Sequence, residues 1–169
     1  MTPSTATPGA PLTFRTELVA EDPARIRDLV RATGFFYDDE VDVAGELAEE
    51  RLAKGPSCGY HFVLADQGDR LMGYACYGPI ACTRSSYDLY WIAVAPDAQR
   101  LGLGRELMQR SEALVAAAGG TRIYVETSNR PQYESTRAFY DRCGYALVSL
   151  LDEFYGPGDA KATFCRVVG

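Results

Sequence analysis

Apolar and polar residues change period several times along the chain, and each change marks an element. Residues 88–94, Asp-Leu-Tyr-Trp-Ile-Ala-Val, are rich in aromatic and β-branched types and contain no Gly or Pro, the composition of a strand. Both alternating faces, Leu89/Trp91/Ala93 and Tyr90/Ile92/Val94, are largely apolar, as in a strand covered on both sides. Pro96 stops that run. Leu103, Leu107, Leu114, Val115 and Ala118 then recur at helical spacing until Gly119-Gly120. Residues 123–127, Ile-Tyr-Val-Glu-Thr, form the next strand, so this stretch reads as a parallel βαβ unit.

The rest of the pattern falls around that unit. Residues 12–18 alternate and predict a first strand. Asp22-Pro23 reads as a helix opening, with a capping carboxylate and Pro at the first helical position. Ile26, Leu29 and Val30 form its apolar stripe and Gly34 ends it. A second helix is expected over residues 40–54, ending at Gly55. Residues 60–65 and 71–77 flank a turn at 67–69 and predict a hairpin, followed by a loop over 80–86. Downstream come a polar loop (128–132), a helix (133–142) and a final strand pair, 145–151 and 162–168, joined by a loop over 152–161. The predicted order is β-αα-βββ-α-β-α-ββ.

A chain of 169 residues fits one domain with one sizeable core. A net charge of −6 argues against a nucleic-acid-binding surface and is compatible with a cationic amine substrate. Five cysteines (58, 76, 82, 143 and 165) include no C-x-x-C pair, and the chain has one His. Zinc binding is therefore not expected, and unpaired thiols in a reducing cytoplasm fit best. Residues 1–11 are Thr/Pro/Ala-rich and read as a flexible leader, leaving 12–169 as the domain. No run approaches the length of a membrane span.

The junction after the central strand carries the chemistry. The first turn of a helix leaves backbone N–H groups without intrahelical partners, and the dipole adds partial positive charge. Gly102 and Gly104 would let an anion approach the backbone closely, and Arg100 and Arg105 bracket the turn. A pyrophosphate is the natural guest. A dinucleotide fingerprint needs a third Gly where Leu107 stands, and a P-loop needs a Gly-Lys-Ser/Thr that does not follow. Gly55-Pro56-Ser57-Cys58-Gly59 matches the hydrolase pattern G-x-S-x-G with His61 beyond it. A helix precedes it and a strand follows, the reverse of a nucleophile elbow.

Gln99-x-x-Gly102-x-Gly104, directly after strand-Val-x-Pro, resembles motif A of the GNAT superfamily of N-acetyltransferases. Residues 138–145, Ala-Phe-Tyr-Asp-Arg-Cys-Gly-Tyr, resemble that family's terminal Tyr-x-x-x-Gly-Phe/Tyr signature. The resemblance implies an α/β (mixed α+β) fold in a single domain. Its central sheet would be mixed, mostly antiparallel, with six to seven strands and four flanking helices, and with a splayed parallel pair at 88–94 and 122–127. It further implies acetyl-coenzyme A as co-substrate, no metal, and direct attack of an amine on the thioester. Coenzyme A would be held by Ile92, Ala93, Val94, Gln99, Arg100, Leu101, Gly102, Leu103, Gly104 and Arg105. The Ile92 amide would face the carbonyl oxygen, a role suited to an already oriented donor. Tyr140 matches the family's acid for the leaving thiolate, or packs and bonds the cofactor without transferring a proton.

Candidates for a base are Asp88, by its position eleven residues before Gln99, and Glu126 as reserve. The family's usual Asn position is taken by Tyr133, which puts a cofactor role for Asn129 in doubt. Over the thioester the resemblance would bring residues 35–40, 130–133 and 154–161. Phe36, Tyr37, Tyr133, Tyr155 and Asp159 are the substrate-binding candidates, their aromatic walls and carboxylates suiting a small amine or a peptide N-terminus or lysine. Equally, the acids of 35–40 cap a helix above packed aromatics, and Gly156-Pro157-Gly158 is a hairpin turn. Transfer of a longer acyl group and a non-catalytic acyl-coenzyme A sensor stay open, as does a homodimer; neither a nucleic acid nor a membrane partner is expected.

Overall fold

The structure is a computed structural model and describes residues 9–169. It contains four helices and one seven-stranded mixed sheet of order β1-β2-β3-β4-β5-β7-β6 (β1, Leu12–Arg15; β2, His61–Gln67; β3, Arg70–Pro79; β4, Ser86–Val94; β5, Arg122–Ser128; β6, Ala146–Gly156; β7, Asp159–Val167). The helices are α1 (Asp22–Thr33), α2 (Asp38–Lys54), α3 (Leu103–Ala117) and α4 (Glu134–Arg142). Backbone contacts divide the chain into two compact units, 9–78 with 91–111 and 79–90 with 112–169.

In the first unit β1, β2 and β3 form an antiparallel meander. Residues 62–66 of β2 and 71–78 of β3 are buried without interruption, because both faces of these strands are covered. Ile26, Leu29 and Val30 of α1, Val41, Ala44 and Ala48 of α2, and Leu103, Leu107 and Met108 of α3 supply further core side chains. α2 begins two residues earlier than the hydrophobic period requires. The Tyr37 N–H donates to Glu40 Oε2 at 2.8 Å, and Asp38, Asp39 and Glu40 all lie in the first turn, where the helix dipole favours acids.

Asp22 departs from expectation. It is not the cap of α1 but its first residue, fully buried; Glu21 holds the cap position. Arg15 donates to both Asp22 oxygens at 2.6 and 2.7 Å, the Val19 N–H donates at 2.8 Å, and Arg25 adds a bond at 3.2 Å. Arg15 and Arg25 also each bond Asp66 on β2, so four charges tie β1, α1 and β2 together. Burial alone would raise the Asp22 carboxyl, but Arg15, the Val19 N–H and Arg25 together outweigh it and hold the group below its usual range.

The second unit is built on β5, β7 and β6, with β7 antiparallel to both neighbours. The parallel register of β4 and β5 runs Ser86↔Arg122 to Asp88↔Tyr124 and stops there, as the expected splay requires. Ile123 and Val125 of β5, Ala162 and Phe164 of β7, and Tyr140 and Tyr145 fill its core.

Two expected boundaries move. The first strand ends at Arg15, not at 18. The connection 152–161 is strand for most of its length: β6 continues to Gly156 and β7 starts at Asp159, leaving a tight turn. The stretch expected as a loop includes charged Asp152 and Glu153, yet β6 is an edge strand and can carry them into solvent. Glu153 takes a left-handed φ of 53°, and the register slips between Leu151↔Lys161 and Gly156↔Asp159, so a bulge absorbs the extra residues. Most of the expected leader, residues 1–8, lies outside the described residues. Ala10 accepts a hydrogen bond from Gln67 Nε2 at 3.0 Å.

Candidate functional site

In the first unit, β4 runs into a short 3-10 turn at Pro96–Ala98 and then into α3. The turn is fixed from two sides. Arg70 of β3 grips Asp97 with two bonds of 2.6 and 2.7 Å, and Gln99 Nε2 reaches back to the Val94 carbonyl at 3.3 Å. Arg100 then adopts φ 66° and Gly102 φ 84°, two left-handed residues one apart. The Gly102 carbonyl accepts the Glu106 N–H at 3.1 Å and so opens the helix, whose first-turn amides include those of Leu103 and Gly104. A Cβ built on Gly102 meets nothing within 4 Å. The loop thus presents backbone, open space and exposed Arg100 and Arg105 side chains, which is the chemistry of an anion cradle.

Ala93 is buried, whereas Ile92 and Val94 on the other face are part-exposed. The Ala95 N–H is paired with the Met72 carbonyl at 2.8 Å, anchoring the strand end to β3. Trp91 packs against Phe36 at 5.0 Å between ring centroids. Phe36 is part-buried by this contact, and Tyr37 next to it is 70% exposed.

In the second unit, Tyr140 lies on α4 with its ring 5.9 Å from Phe164, 6.2 Å from Tyr145 and 5.6 Å from Phe139. Burial pushes its phenol well above the usual value, so it is protonated throughout the physiological range. The Tyr-x-x-x-Gly-Tyr signature has a structural cause here. Gly144 takes φ 85° to end α4, the Tyr145 N–H returns to the Tyr140 carbonyl at 3.0 Å, and a Cβ on Gly144 would strike the guanidinium of Arg166. Arg166 itself donates to the Cys143 carbonyl.

Asp88, Glu126 and Lys161 come together in the same unit. Asp88 pairs in register with Tyr124, two residues before Glu126 on that face, and Lys161 Nζ lies 3.0 Å from Glu126 Oε1. Burial, then repulsion from Glu126, raises the Asp88 carboxyl, and Lys161 opposes both. Lys161 also sits 3.9 Å over the Phe154 ring, which meets Tyr155 edge-on at 5.1 Å. Burial raises the Tyr155 phenol, with further contributions from Glu126, Asp159 and Tyr133, so these four groups share one neighbourhood. Asp159 is engaged internally: Ser128 Oγ donates to it at 2.5 Å and Arg130 Nε lies at 3.1 Å. Arg130 in turn reaches over the Tyr133 ring at 5.7 Å. Among the described residues no group of three or more His, Cys, Asp or Glu could hold a metal ion.

A family model described as "Acetyltransferase (GNAT) family" matches residues 24–145, well over half of the chain. The chain belongs to the GNAT acetyltransferase family. A protein from Desulfovibrio desulfuricans described as a GNAT-family acetyltransferase is 44% identical, with a TM-score of 0.93 over 94% of this chain and 100% of that one. Two more distant structures share the fold. One is an aminoglycoside 6′-N-acetyltransferase complexed with coenzyme A (20% identity, TM-score 0.74, 92% and 96% covered). The other is the ribosomal-protein-S18-alanine N-acetyltransferase of Escherichia coli (19%, 0.71, 94% of each). No curated protein matches the chain.

Within this GNAT domain, sequence reasoning missed Arg70, Lys161 and Arg137. Arg70 and Asp97 lie 27 residues apart and show no local pattern. Lys161 read as the end of a loop; only the β5–β7 register, which sets Ser128 opposite it, brings it to Glu126. Arg137 donates to the Ser128 and Arg130 carbonyls at 2.9 Å each and fixes the loop where the family's Asn is absent. The elbow-like 55–59 stretch is a 3-10 turn between α2 and β2, with Ser57 Oγ donating to the Lys54 carbonyl, so no nucleophile is built there.

Proposed function

We propose that this GNAT protein transfers the acetyl group of acetyl-coenzyme A to a primary amine. The observation that carries the reading is the cradle at residues 99–104: two left-handed residues, an open Cβ position and a helix start, all held by Arg70 and Gln99. Coenzyme A supplies an acetyl group activated as a thioester. The loop's amides and Arg100 and Arg105 receive its pyrophosphate, and the Ile92 amide donates to the carbonyl oxygen as negative charge develops there. The amine nitrogen forms a bond to the carbonyl carbon, the carbon–sulfur bond breaks, and the sulfur leaves as thiolate.

Tyr140 is loaded to protonate that thiolate, since burial keeps its phenol neutral. The same burial makes the phenolate costly, so solvent must restore the proton promptly. The incoming ammonium loses its proton to water or to Asp88, whose raised carboxyl is a better base than an ordinary aspartate. Glu126 is the weaker candidate, because Lys161 already neutralises it. Tyr155, Tyr133, Tyr37, Phe36 and Asp159 are the acceptor-binding residues of this reading, aromatic faces and a carboxylate being suited to a cationic amine. The aminoglycoside and ribosomal-protein enzymes of the same fold, which take amines, support this acceptor class. The protein would be offered acetyl-, propionyl- and longer acyl-coenzyme A with small amines, polyamines, amino acids and peptides. An acetylated amine as the main product supports the reading, and a preference for longer chains would reassign the donor.

A further inference from the structure

We infer that Glu112 is a positioning residue for Tyr140, holding from α3 the two residues, Arg166 and Tyr145, that fix the end of α4. The inference rests on Tyr140 as the acid for the leaving thiolate. Glu112 stands in the second half of α3 and is 8% exposed. Its Oε2 lies 3.4 Å from Arg166 Nε on β7. Its other oxygen, Oε1, is buried and has no hydrogen-bond partner among the described residues. Burial raises the carboxyl, against the pull of Arg166 and the Tyr145 phenol. Burial, and after it this carboxylate, raises the Tyr145 phenol, so the two side chains are neighbours. A buried carboxylate with an unpartnered oxygen is costly, and a neutral residue of the same shape would remove that cost. What the charge adds is a fixed place for Arg166 and Tyr145.

Helix α4 needs such anchors. It has nine residues, too few to hold a helix in water by itself. The carbonyls at its end lack intrahelical partners and favour a cation. Arg166 donates to the Cys143 carbonyl there, and a Cβ on Gly144 would strike its guanidinium. Tyr145 acts on Tyr140 itself: its N–H donates to the Tyr140 carbonyl at 3.0 Å, and its ring lies 6.2 Å from the Tyr140 ring. Glu112 thus governs the phenol through one residue that caps its helix and one that bonds its backbone. Misplacing a reacting group by about 1 Å can cost about 10²-fold in rate, so a looser α4 end should show in turnover.

A double-mutant cycle tests this, read as thiol release from acetyl-coenzyme A with the amine that stimulates it most. Glu112→Gln keeps the shape and removes the charge, so kcat should fall about tenfold with the acetyl-coenzyme A KM unchanged. In a Tyr140→Phe background the same change should cost less than about twofold, because the group it positions has lost its proton. Equal losses in both backgrounds make Glu112 a structural residue and overturn the inference while leaving Tyr140 as the acid. Wild-type turnover in Tyr140→Phe alone overturns the acid assignment, and the inference with it. Should Glu112→Gln fail to fold, Arg166→Met, at a side chain 38% exposed, takes its place in the same cycle with the same outcomes.

Discussion

The loop at residues 94–106 and the β6–β7 hairpin would offer the substrates of the proposed reaction different things. The loop offers backbone: left-handed Arg100 and Gly102, and the first amides of α3. The hairpin and its neighbours offer side chains: Tyr155, Phe154, Lys161 and, from β5, Glu126. Backbone chemistry suits a guest that never changes, because glycine and helix geometry cannot drift without breaking the loop. Side-chain chemistry suits a variable guest, because Tyr155 or Phe154 can be exchanged while the strand persists. In the proposed reaction the comparison assigns the donor to the first region and the acceptor to the second.

The largest effect should come from Tyr140, the proposed acid for the leaving thiolate. Tyr140→Phe keeps the ring packed on Phe164 and removes the proton, so turnover should fall about 10²–10⁴-fold with coenzyme A affinity little changed. Unchanged turnover under conditions where chemistry limits the rate would reduce Tyr140 to packing. Next, Gly102→Val forces a β-branched residue into a left-handed backbone, at roughly 1–2 kcal/mol before any crowding of the phosphate. Coenzyme A affinity by calorimetry should weaken about tenfold or more, while the acceptor KM stays put. Equal affinity in a folded variant would break the donor half of the comparison.

Asp88 gives a pH test. Its carboxyl is raised, so its base form is lost as pH falls through a value above the ordinary aspartate range. A plot of kcat/KM against pH should show that limb, Asp88→Asn should abolish it, and Lys161→Met should move it upward by removing the opposing charge. A limb that survives Asp88→Asn assigns the proton to solvent. The smallest effect is expected from Tyr155→Ala, where loss of one exposed aromatic face should raise the acceptor KM about two- to fivefold with the acetyl-coenzyme A KM unmoved. A shift in the acetyl-coenzyme A KM instead would erase the distinction between the regions.

The regions also differ in what their sequence betrays. The donor loop is local: strand composition over 88–94, Pro96, two glycines and a helical period follow one another, and each acts within a few residues. Its brace, Arg70 on Asp97, was invisible because it is made across the fold. Away from that loop nearly everything is long-range. Asp22 carries the residue type of a cap, yet Arg15 and Arg25 claim its carboxylate in the core. Asp152 and Glu153 carry the residue types of a loop, yet an edge strand with a bulge accommodates them. Asp159 had the look of a ligand group, and Ser128 and Arg130 make it a brace. A carboxylate's partners decide its role, and tertiary structure chooses them.

The most direct test is free-thiol release from acetyl-coenzyme A by the wild-type protein, followed with and without each member of an amine panel. The account predicts slow release with water alone and strong stimulation by at least one cationic amine, with one acetylated amine formed per thiol. Tight coenzyme A binding with no stimulation by any amine, peptide N-termini and lysines included, would contradict acetyl transfer and make the protein a binding module.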